Sequence, residues 1–167
     1  AAGMYDGFAY ILHATIPFST VLPAVISTHK LLHTFPTLRN GLRRMPAVNV
    51  RHPKPVAISV LVVASLGLAL IESFPHFLFP LLWVSPLLIV TSLQLLLSRR
   101  TIFSPMQHGD WRAITLAPLA ALICGFFWEM WNIYSLARWE YSVPFVDCCH
   151  VFAMPVLGYA GYLPFGL

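Results

Sequence analysis

The sequence predicts an all-α fold: a polytopic integral membrane helical bundle of about five transmembrane helices, forming one transmembrane domain over residues 1–167. Three observations carry this expectation. First, 58% of the residues are hydrophobic against 10% charged, and mean hydropathy is +0.75. A soluble domain of this size needs more polar cover than that. Second, apolar runs near the ~20 residues needed to cross a bilayer follow one another with short breaks. Third, basic residues alternate between rich and poor loops.

The first span is expected over about 8–28, an apolar run interrupted by His13, Pro17 and Pro23. Prolines remove backbone donors and bend a helix, which a membrane bundle tolerates when neighbouring helices satisfy the freed carbonyls. A re-entrant or interfacial segment is the rival for this stretch. The loop over 29–54 carries Lys30, Arg39, Arg43, Arg44, Arg51 and Lys54 with no acid. It is expected to face the cytoplasm, with a short helix between Leu31 and Met45 lying on anionic headgroups as an alternative to a plain topogenic loop.

Spans two and three, about 55–74 and 77–98, are joined at Pro75 and His76 and should form an antiparallel helical hairpin. Arg99 and Arg100 close the second of these, and Asp110 before Trp111 and Arg112 has the composition of a helix N-cap. The fourth span, about 113–136, contains CGFFWEMWN, where Glu129 and Asn132 sit three residues apart on one helix face with Gly125 a turn below. The fifth, about 145–167, is broken by glycine and proline.

The first and third loops hold six and three basic residues, the second none and the fourth only Arg138. That pattern places the N-terminus outside and the first and third loops inside, in a bacterial inner membrane. The net charge of +4 forms no basic stripe with interleaved aromatics, so nucleic acid is not an expected partner. Membrane lipid and other membrane protein subunits are. Cys124 and the adjacent pair Cys148 and Cys149 imply no disulfide framework. The start lacks the positive region of a cleavable signal peptide, and the ends of the sequence lead one to expect that the natural chain extends further.

Helix rise puts Glu129 roughly 24 Å from the cytoplasmic start of its helix and Glu72 roughly 25 Å along its own. Depth therefore collects Glu72, His76, Glu129, Asn132, Asp147, His150 and His13 near one outward-facing layer, below Arg138. Three roles compete for this layer. Glu129, Asn132 and Arg138 could tie helices together. Glu129, Asp147 and His150 could hold a divalent metal such as copper, zinc or iron. Glu129 with His150 could carry out acid–base chemistry.

Trp83, Phe126, Phe127, Trp128 and Trp131 could flank a pigment, quinone or haem, with ordinary packing as the alternative. A haem would need His13 opposite His150 or His76. Phosphate-binding glycine loops and the HExxH and CxxC motifs do not occur. The leading functional expectation is a small subunit or accessory protein of a larger membrane complex. The rival is an intramembrane metal-binding protein or enzyme.

Overall fold

The structure is a computed structural model that describes residues 7–135, 138–141 and 148–167. It is mostly helical. Helix α1 runs over Gly7–Thr34, through both prolines expected to interrupt it, and the one-and-a-half-turn α2 follows at Pro36–Gly41. Pro53 opens α3, Pro53–Ala69; proline suits a first turn because its missing N–H would have no helical partner there. The single turn α4, Pro75–Leu78, leads into α5, Leu81–Leu96, and α6 spans Arg112–Asn132.

Among the described residues one helix, α6, is long and apolar enough by length and composition to cross a membrane; α3 and α5 are apolar but shorter. The expected second and third spans are thus trimmed at their outer ends. Residues 70–74 form hydrogen-bonded turns in place of further helix, with Ser73 and Phe74 both donating to the Leu70 carbonyl. The hairpin itself is present, since α3 and α5 pack on each other. What they bury is small: Ala57 and Ala64 from α3, and Ser85, Thr91 and Ser92 from α5. Small residues let two helix backbones approach closely. The Thr91 hydroxyl donates back to the Leu87 carbonyl at 2.8 Å and so hides its polarity.

The main apolar core lies between α1 and α6, where Val25 and Leu32 meet Leu116, Ala120, Ala121 and Cys124. The two basic loops lie side by side, joined by backbone hydrogen bonds. Met45 N–H donates to the Gly109 carbonyl, Val48 N–H to Met106, and Trp111 N–H to Leu42. The Trp111 indole donates to the Pro46 carbonyl at 2.9 Å. Gly109 has φ of 72°, and a Cβ there would press on the Met45 carbonyl, so the loop contact requires glycine twice over. Asp110 stands one residue before the N-cap position, which Trp111 occupies. Its carboxylate still accepts the first helical N–H, from Arg112, at 3.2 Å.

The fifth spanning helix expected over 145–167 is not formed by the described residues 148–167. Two-residue strands, β1 (His150–Val151) and β2 (Met154–Pro155), pair antiparallel; a 3₁₀ turn over Val156–Gly161 and the single turn α7, Tyr162–Phe165, follow. Pro155 and Pro164 interrupt a continuous hydrogen-bond ladder, and Cys149 and Phe152 take positive φ. The segment lies along α6 instead: Tyr162 abuts Gly125, and Gly166 abuts the backbone of Ala117 and Pro118. Gly125 and Pro118 are seven residues apart and share a helix face. Irregular backbone of this kind persists at membrane depth only when protein covers it.

Candidate functional site

The last two turns of α6 bring two polar side chains into the interior. Glu129 is fully buried and Asn132 nearly so. Burying a carboxylate among aromatic rings costs several kcal/mol unless donors reach it. Two phenols do. Tyr141 donates to Glu129 Oε1 at 2.5 Å from the stretch after α6, and Tyr162 donates to the same oxygen at 2.8 Å from α7. The other oxygen, Oε2, is buried without a hydrogen-bond partner among the described residues.

Asn132 serves the chain beyond its own helix. Its Nδ2 donates to the Trp139 carbonyl and its Oδ1 accepts from the Trp139 N–H, each at 2.9 Å. The side-chain amide therefore acts as a strand-like partner for one residue's backbone, the pairing an amide offers and a carboxylate cannot. The Trp139 indole in turn donates to the Tyr141 hydroxyl, which thus accepts one bond while giving another to Glu129. Burial first, and the bond to Glu129 second, push the Tyr141 phenol well above the ordinary tyrosine range, so it keeps its proton. Next to this network, Trp128, Trp131, Asn132, Ser135 and Trp139 line a small open pocket of about 160 Å³.

Family models, curated proteins and solved structures offer no match to this chain. The chemistry of the site is therefore the guide to its role.

Of the residues expected in one polar layer, the structure joins Glu129 and Asn132 to aromatic partners. Arg138 forms an exposed ion pair with Glu140, 2.9 Å, in place of a bond to Glu129 or Asn132. Glu72 and His76 are exposed in and beside the turn between α3 and α5, with no hydrogen bond to Glu129. His150 is exposed in β1, whereas Glu129 has no exposed surface. Asp147 lies outside the described residues, as does the side chain of His13 in α1. Among the described residues no three His, Cys, Asp or Glu side chains gather closely enough to hold a metal ion.

The cysteines are free, with Cys124 buried against α1, where Thr28 Oγ1 lies 3.4 Å from its sulfur. Neither Tyr141 nor Tyr162 is expected from the sequence as a donor to Glu129. One signal was available: an acid inside an apolar helix needs donors, and phenols are the donors that cost least beside aromatic rings.

Proposed function

We propose that this chain is a polytopic inner-membrane protein that works as a small subunit or accessory protein of a larger membrane assembly, with its N-terminus outside. In this view α1, α3, α5 and α6 are the membrane-crossing elements, α3 and α5 being extended by their flanking turns, and the segment over 148–167 is protein-covered filling against α6. The observation that carries the proposal is the apolar exterior. Ile16, Leu22, Val63, Leu66, Leu82 and Val90 are among many large side chains left more than half or nearly half exposed on α1, α3 and α5. So many exposed large apolar side chains call for lipid or partner helices against them. The site round Glu129 fits the same role: it spends its hydrogen bonds inside the chain, fastening two irregular segments to α6.

The test is purification in mild detergent after expression at native level. A subunit migrates as a discrete assembly heavier than the monomer and loses order when stripped from it. A chain that stays monodisperse as a monomer and retains a stoichiometric metal or a catalytic activity would overturn this proposal. The orphaned Glu129 Oε2 favours a second reading, in which that carboxyl exchanges a proton or takes a ligand donor within the membrane. In that case Glu129→Gln abolishes activity while leaving assembly unchanged.

A further inference from the structure

At the end of the molecule opposite Glu129, where α5 ends and α3 begins, a cavity of about 650 Å³ opens between the hairpin and the loop that leads to α6. Such a volume lies within the ~300–1,000 Å³ typical of small-ligand sites. Its lining carries Lys54, Arg99, Arg100 and His108 beside Leu95, and its one acid is Asp110. That acid is already taken: both oxygens bind the Arg112 guanidinium, at 2.9 and 2.7 Å. Lys54, Arg99 and Arg100 have no acidic partner within 4.0 Å among the described residues, and all three are exposed. Arg43 adds further positive potential, acting on Asp110 from the neighbouring loop.

The backbone holds these cations in place. After α5, Ser98 takes a left-handed φ of 54°, and Arg99 N–H reaches back to the Gln94 carbonyl at 2.7 Å. This is the hydrogen bond of a Schellman helix end, with serine where glycine is usual. Arg99 and Arg100 follow directly on this turn and line the cavity together with Pro53 and Lys54 from the first turn of α3.

We propose that this cavity binds the phosphate-bearing headgroup of an anionic phospholipid. Three cations without an acidic partner, in a cavity that also exposes Leu95, Pro53 and Pro105, match a phosphodiester with the start of its acyl chains, and in the membrane reading the site lies at the face where the basic loops gather. The inference rests on the membrane reading above, and fails separately from it. A chain recovered without detergent in the soluble fraction defeats that reading, whereas a membrane-embedded chain without headgroup preference defeats only this one.

The experiment titrates the full chain in detergent with dihexanoyl phosphatidylglycerol, dihexanoyl phosphatidylcholine and glycerol 3-phosphate, with bound ligand counted by native mass spectrometry. Phosphatidylglycerol should bind at least roughly tenfold more tightly than phosphatidylcholine, as a few basic side chains near a phosphate imply. The triple variant Lys54→Gln, Arg99→Gln, Arg100→Gln should lose that preference. The equally discharged variant Lys30→Gln, Arg39→Gln, Arg44→Gln should keep it. Equal loss in both variants, or no preference in the natural chain, would overturn the proposal, because net charge would then explain the binding. Glycerol 3-phosphate binding as tightly as the lipid would also overturn it, by making the occupant a soluble phosphate.

Discussion

Gly125→Ala sets two effects of opposite sign against each other. In an exposed helix interior, alanine in place of glycine stabilises by about 1 kcal/mol. At position 125 the new Cβ would lie 2.5 Å from Tyr162 Cε2 and Cζ, so the ring must withdraw by about 1 Å to reach ordinary contact. Its hydroxyl, now 2.8 Å from Glu129 Oε1, would then stand beyond hydrogen-bond reach. Losing a bond to a buried acid costs about 1.5–3 kcal/mol, so the expected net effect is a destabilisation of about 0.5–2 kcal/mol.

The assay is reversible unfolding in mild detergent, followed by the fluorescence of Trp128 and its neighbours, on Gly125→Ala, Tyr162→Phe and the double variant. If the glycine acts through the Tyr162 bond, the double variant should be little worse than the worse single one, with a coupling of about 1–2 kcal/mol. A neutral or stabilised Gly125→Ala, as propensity alone implies, would refute the reasoning that Tyr162 is held against α6 by the acid at its end.

Asn132→Ala should cost about 2–3 kcal/mol in the same assay, since it removes both bonds to Trp139, and Asn132→Asp should recover little because it cannot donate to the Trp139 carbonyl. Glu72→Gln and His76→Asn should each change stability by less than about 0.5 kcal/mol, because both residues are exposed and stand outside the Glu129 network. The Arg112 guanidinium holds the Asp110 carboxyl at about 2, below its usual 3.8. Its folded value is the lower one, so the pair stabilises fully above about pH 4 and loses that contribution as pH falls towards 2. The pair is partly exposed, so the contribution is about 1 kcal/mol or less, and Asp110→Asn should flatten an acid titration of stability across that window.

What could be read from sequence was whatever depends on local composition. The helical hairpin at Pro75 and the helix carrying Glu129 follow from apolar runs and the breaks between them. The contact between the two basic loops, through hydrogen bonds from Met45, Val48 and Trp111, is a tertiary feature that charge alternation does not encode. The polar layer was legible only in part. Helix rise gives depth, and depth grouped Glu72, His76 and Glu129 at one end. Lateral convergence depends on helix rotation and on chain reversals dozens of residues away, and no periodicity encodes those.

The closing segment marks the same boundary. Its apolar composition indicated a buried environment, and Tyr162 and Gly166 do lie against α6. Its secondary structure followed from other forces: Pro155 and Pro164 break the helical ladder, and Gly125 leaves a slot into which the Tyr162 ring fits. Local propensity and transfer free energy are properties of neighbouring residues, so the sequence by itself determined that the chain is mostly helical and that Glu129 stands near the end of an apolar helix. Which donors would answer that acid was decided only by the tertiary structure, because Tyr141 and Tyr162 reach Glu129 from 12 and 33 residues away.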